Sequence, residues 1–251
     1  MALKNVALSN VDESSRTYLD VKLEILARVE KLDPGGQRLP SEREWCDMLT
    51  VSRSTVRQAL LALETEGRIQ RKRGSGWYVS AAPLRFDPCR YVPFTYTAIE
   101  QGRVPSWQEI EIAKDPVSPE FAAAFGIRSN RRVPKIQVLL ELDADPVGLE
   151  TSYINPLVCA DPAAIDHSLP ISKELQRVSG IETDNRRMSI KSTNCGGYAA
   201  KLMGLHAESP ALLMTQWIQG SKGKLLSISE TVWRANALEF VVVQSGNGSA
   251  G

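Results

Sequence analysis

The sequence predicts an α+β chain in two parts: an N-terminal winged helix-turn-helix and a C-terminal α+β domain on an antiparallel sheet. Three observations carry this. Two amphipathic helical stretches lie between Ser41 and Gly67, with a break at Thr50 and Val51. A glycine hairpin with a basic lip follows directly. Beyond residue 87, pairs of strand-like segments carry short helices between them, the order of an α+β domain.

Residues 1–15 are polar and expected to be disordered. Residues 18–29 repeat apolar side chains at Leu19, Leu23, Leu26 and Ala27, which predicts a helix burying that stripe. Asp33, Pro34, Gly35 and Gly36 make a turn. Ser41 then stands three residues before Glu44, the spacing of a capping box, in which the hydroxyl and the carboxylate each satisfy a free amide of the first turn. Trp45, Met48 and Leu49 fall on one face of the helix so started. Ser52 or Ser54 can cap a second helix whose apolar face carries Val56, Leu60 and Leu63, and Gly67 ends it. Residues 69–72 and 77–79 read as strands around Arg73, Gly74, Ser75 and Gly76. A helix-turn-helix followed at once by a hairpin is a winged helix.

The chemistry of this stretch suits DNA. Arg53, Ser54, Thr55 and Arg57 open the second helix, where a recognition helix meets base edges. Arginine can bind guanine edges bidentately, and hydroxyls can bond bases or phosphates. Arg71, Lys72 and Arg73 would face phosphates or enter the minor groove. A solvated basic face on a small helical domain would explain the charge but not the order of cap, turn, helix and wing.

Composition agrees. The 251-residue chain has a net charge of +1, so it is no polycation. Its bases are concentrated locally: Arg53, Arg57, Arg68, Arg71, Lys72 and Arg73 face only Glu64 and Glu66 across that segment. No run of about 18 apolar residues exists, and the N-terminus lacks the pattern of a signal peptide, so a cytoplasmic protein with no membrane contact is expected. Cys46, Cys89, Cys159 and Cys195 are widely spaced, and the two histidines are His167 and His206. Neither a disulfide framework nor a metal site follows, and no cofactor is expected.

The segments LPSERE and VSRSTVRQAL, with the basic GSG wing, closely resemble the GntR family of bacterial transcription regulators. The resemblance implies contacts to double-stranded operator DNA by Arg43, Arg53, Ser54, Thr55, Arg57 and Gly76, with Ser52 and Arg73 added. Trp45 stands where the family usually has leucine.

The winged helix is expected over residues 16–80, a linker over 81–86, the second domain over 87–244 and a flexible tail over 245–251. Prolines at 83, 88, 93, 105, 116 and 119 disfavour helix at the start of the second domain. Strands are expected at 108–114, 133–142, 147–154, 187–194, 211–219, 225–234 and 239–244. Short helices are expected at 118–125, 161–165, 172–178 and 197–205. The order, with LLELDADPVGLETSYINP and LLSISETVWRANALEF, resembles the UTRA domain, the ligand-sensing domain of the HutC subfamily, whose fold is similar to chorismate lyase.

That resemblance implies a homodimeric regulator, most relatives being repressors released by a metabolite. It places effector contacts on Glu150, Ser152, Tyr153, Ser168, Arg187, Trp233 and Arg234. Val138 and Leu140 stand where sugar-phosphate binders of the family tend to carry two arginines, and Ser227 stands where a glutamate is often found. A smaller anionic effector is therefore expected: a phosphonate, a phosphate ester or a carboxylate. Phosphonate-utilisation regulators suggest an aminoalkylphosphonate, with Glu150 on the amine. The alternative is a chorismate-lyase-like enzyme with an accessory DNA-binding domain. No paired acid and base or nucleophile supports it, so a non-enzyme is expected.

Overall fold

The structure, a computed structural model, describes residues 16–242 apart from 34, 73, 91 and 167–169. The stretches expected to be loose at the two ends, 1–15 and 245–251, lie outside the described residues. The chain divides between Ala81 and Ala82 into two compact units, each described by itself.

In the first unit α1 (Tyr18–Val29), α2 (Glu42–Leu49) and α3 (Arg53–Thr65) precede the strands β1 (Ile69–Lys72) and β2 (Gly76–Val79). Ser41 forms the expected capping box with Glu44, and Ser52 caps α3 by accepting from the amide of Thr55. Thr50, the residue between α2 and the turn, takes a left-handed conformation with φ 54°. Trp45, Leu49, Val56, Ala59, Leu60 and Leu63 close one core with Ile69, Trp77 and Val79 of the wing. The α1 stripe differs from the expected one. Val21, Ile25 and Val29 are buried against α3, whereas Leu19 and Leu23 are exposed. Both sets have helical spacing, and the β-branched set is the one that meets the core. Met48 is likewise exposed.

The second unit is a six-stranded antiparallel sheet in the order β4 (Pro105–Pro116), β5 (Arg132–Leu142), β6 (Asp145–Ile154), β9 (Leu225–Arg234), β8 (Pro210–Gly220), β7 (Thr183–Asn194). On one face, α5 (Pro119–Phe125) packs through Phe121 and Phe125 with Ile228 and Tyr153, and α7 (Gly196–Met203) through Ala199, Ala200 and Met203 with Leu139 and Leu149. The other face lies under α4 (Phe94–Glu100), α6 (Ile171–Ser179) and the strand pair β3 (Leu84–Phe86) and β10 (Leu238–Phe240).

Two expectations are corrected here. The linker expected at 81–86 contains β3, whose Leu84 and Phe86 are buried and which runs parallel to β10. Alternation of Leu84, Arg85 and Phe86 is a half-buried strand signal, and the neighbouring Pro83 conceals it. Helix α4 was not expected, because the prolines before and after it read as strand punctuation. Pro93 instead stands at the N-cap, where its missing amide costs no hydrogen bond.

Candidate nucleic-acid interface and effector cavity

At the start of α3 a hydroxyl cluster fixes the local geometry. Ser52 Oγ lies 2.7 Å from Ser54 Oγ and 2.8 Å from Thr55 Oγ1. Arg53 donates to the Glu42 carboxylate at 3.1 Å, yet its side chain is 78% exposed. An ion pair so open to water is worth little, so the guanidinium is free to exchange it for a base edge or phosphate. Arg57 lies one turn further along, exposed, and Arg43 is exposed on α2. On the wing, the Arg71 guanidinium sits 5.5 Å from the centre of the Trp77 ring, and Lys72 Nζ sits 5.3 Å from that of Tyr78. These aromatic bases hold two wing cations above the hairpin. Gly76 takes φ 106°, which L side chains rarely adopt, at the start of β2. Arg73 lies outside the described residues.

The second unit holds a cavity of about 140 Å³ between the sheet and the segments covering that face. The sheet register explains its lining. Glu150 pairs with Thr231, and Ser152 pairs with Ser229, which pairs in turn with Gln216. These side chains make a polar strip along an otherwise apolar floor of Ile136, Val138, Leu140, Met214 and Ile218. Trp107, Leu140, Gly148 and Trp233 form a single cross-strand row at one end. Phe94 packs on Trp233 with ring centres 5.2 Å apart. Arg186 lines the opposite end and donates to the carbonyls of Pro88 (3.3 Å) and Arg90 (2.8 Å).

Glu150 lies deep in the unit, with part of its surface open to the cavity. Burial pushes its carboxyl above the usual carboxylate range, against the pull of hydrogen bonds from Ser152 (2.9 Å) and Thr231. A carboxyl raised in this way is biased towards its neutral form, which can donate.

Strand alternation sorts the expected effector contacts. Glu150, Ser152 and Trp233 line the cavity. Tyr153, Arg187 and Arg234 do not. Tyr153 packs on Phe121 on the opposite face, its ring centre 5.8 Å away. Arg187 sits 4.6 Å over the Trp217 ring. Arg234 is buried and bound to Asp145 at 2.8 Å. Neighbours in a strand point to opposite faces, so Ser152 with Tyr153, or Trp233 with Arg234, cannot both reach one cavity. Ser168 lies outside the described residues. Trp107, Phe86, Phe94 and Arg186 also line the cavity and are not among the contacts expected from the sequence.

The family profile described as bacterial regulatory proteins, gntR family, matches residues 17–79, and that of the UTRA domain matches residues 100–239. The chain belongs to the GntR family and carries a UTRA domain. This GntR-family protein is 32% identical to an uncharacterized HTH-type transcriptional regulator of Escherichia coli, YihL, over 83% of this chain and 89% of that one. It is 26% identical to the HTH-type transcriptional repressor NagR of Bacillus subtilis over 81% and 84%. The crystal structure of PhnF from Mycobacterium smegmatis superposes with a TM-score of 0.62 at 24% identity, covering 90% of this chain and all of that one, a likeness of fold. Among the described residues, no helix is long and apolar enough to cross a membrane.

Proposed function

We propose that the protein is a cytoplasmic, homodimeric repressor that binds a specific operator and is controlled by a small anionic metabolite. The observation that carries this is the Ser52-capped α3, which presents Arg53, Ser54 and Arg57 at its exposed N-terminal turn beside a cation-bearing wing. Arg43, Ser52, Thr55, Arg73 and Gly76 complete the proposed DNA contacts. The cavity supplies the control, and Arg186 is the cation proposed to receive the effector's anionic group, in place of Arg187 and Arg234. Charge-assisted hydrogen bonds from a guanidinium suit a carboxylate, a phosphonate or a phosphate ester. Repression is favoured because relatives such as NagR are named repressors.

Control follows from linkage. An effector that prefers one arrangement of the two winged helices draws the dimer into it, and operator affinity changes by the difference in binding energy. No catalytic step enters this reading.

The test is fluorescence anisotropy on duplexes tiled across the DNA around the protein's own gene. A panel of carboxylates, phosphonates and phosphate esters is then titrated against the bound complex. One anion should release the DNA, and Arg186→Gln should abolish the release while DNA affinity persists. Release only by neutral or cationic compounds would refute control by an anion.

A further inference from the structure

The cavity has an order along its length. Arg186 occupies one end, the Ser152, Ser229 and Gln216 strip comes next, then Glu150 with Thr231, and last the Trp107–Trp233 row. Glu150 and Arg186 stand three strand spacings apart across the sheet and four residues apart along it, since Glu150, Thr231, Met214 and Ile190 share a row. At about 4.8 Å per strand and about 3.3 Å per residue, their backbones are roughly 19 Å apart. Side chains shorten the gap to on the order of 10 Å, too far for an effector of a few atoms to touch both.

The far end is apolar and aromatic. Gly148 leaves room for the Trp233 ring to lie over the sheet, and Leu140 floors the slot between Trp107 and Trp233. Trp233 Nε1 is buried and has no hydrogen-bond partner among the described residues. It opens no surface to the cavity, and the side of the ring against Gly148 is Cε3 and Cζ3, so the slot meets the indole as an apolar wall. Glu150 sits one row away on the neighbouring strand, a diagonal neighbour of Trp233 on the same face. Its described hydrogen-bonding side chains are hydroxyls, with no cation among them.

We propose that the effector is an elongated organic acid: its anionic head on Arg186, an oxygen acceptor midway on the Glu150 carboxyl, and an apolar ring in the Trp107–Trp233 slot. This rests on the anionic-effector reading and narrows it. A sugar phosphate would waste the aromatic slot, and Val138 and Leu140 offer its phosphate no charge. In this arrangement Glu150 acts as a donor, so an amide in its place can serve as well.

Calorimetric titration of the full-length protein tests this with defined probes. N-phenylacetyl-4-aminobutanoate carries all three groups, and 7-phenylheptanoate is the same length without the carbonyl. The first should bind at least about tenfold tighter, the order expected when a buried donor loses its acceptor. Glu150→Gln should keep that preference, while Glu150→Ala should remove it. A cooperative melting transition of the second unit in each variant certifies the fold. Loss of binding in Glu150→Gln would mean an ionised carboxylate and overturn the proposal. Binding of glucosamine 6-phosphate alone, or of no probe, overturns this proposal and leaves the anionic effector standing. Binding of 4-phenylbutylamine alone overturns both.

Discussion

Gly148→Ala probes the cavity's architecture with a single methyl group. Gly148 pairs with Trp233 across β6 and β9, and a Cβ built there would meet Trp233 Cε3 at 2.9 Å and Cδ2 and Cζ3 at 3.3 Å. Carbon atoms at rest sit roughly 3.5–4.0 Å apart, so the ring must move by about half an ångström or more. It cannot move freely, because it is 4% exposed and Phe94 packs on it at 5.2 Å. Overpacking of this kind costs about 1–3 kcal/mol, and the reduced freedom of the unfolded chain returns about 0.4–1 kcal/mol. A net loss of roughly 1–2 kcal/mol is expected in urea titrations of the second unit's transition. Phe94→Ala should relieve the crowding, so the double variant should lose less than the sum of the two single losses. If Gly148→Ala is neutral and its cost adds to that of Phe94→Ala, the Trp233 ring is not pinned over Gly148 and the slot is wrongly drawn.

Two further outcomes follow from buried charge. Burial raises the folded Glu150 carboxyl, so its contribution to stability is full below the ordinary carboxylate range and is lost as pH rises through the folded value. Glu150→Gln should therefore raise the second unit's melting temperature at about pH 8 more than at about pH 4, and an equal shift at both would contradict the raised carboxyl. Arg234→Ala leaves Asp145 without its guanidinium, and because Asp145 keeps 23% exposure the loss should fall near the low end for a broken buried pair, about 3 kcal/mol. Arg234→Ala should leave cavity binding unchanged when measured on the folded variant; abolished binding would return Arg234 to the effector site.

The winged helix was legible because local chemistry determines it. The Ser41–Glu44 box, the Ser52 cap and Gly67 each act within a few residues, and a short-range signal survives in sequence. The α1 stripe was misread because two stripes on one helix have the same period, and only tertiary contact chooses Val21, Ile25 and Val29. The sheet was legible from its alternating strands and turns. The cavity was legible only in part. Glu150, Ser152 and Trp233 line it, but the pairings of Ser152 with Tyr153 and of Trp233 with Arg234 ignored the two-residue period that separates faces. Arg187 was expected at the site where its neighbour Arg186 stands, for the same reason: which arginine enters depends on which face of β7 turns inward. Phe86, Phe94 and Trp107 reach the cavity from β3, α4 and the far edge of the sheet, and no pattern within a strand announces such a meeting.

The central claim is that α3 reads base sequence. Its most direct test selects duplexes bound by the full-length protein from a random-sequence pool, then measures affinity for the winner and a scrambled control across salt. The account predicts an inverted repeat, with Arg53→Ala and Arg57→Ala each weakening the selected duplex by roughly 1–3 kcal/mol while the scrambled control changes far less. Lys72→Ala should weaken both duplexes alike and flatten the salt dependence. No enrichment, or an Arg53/Arg57 double variant that still prefers the selected duplex, would contradict it.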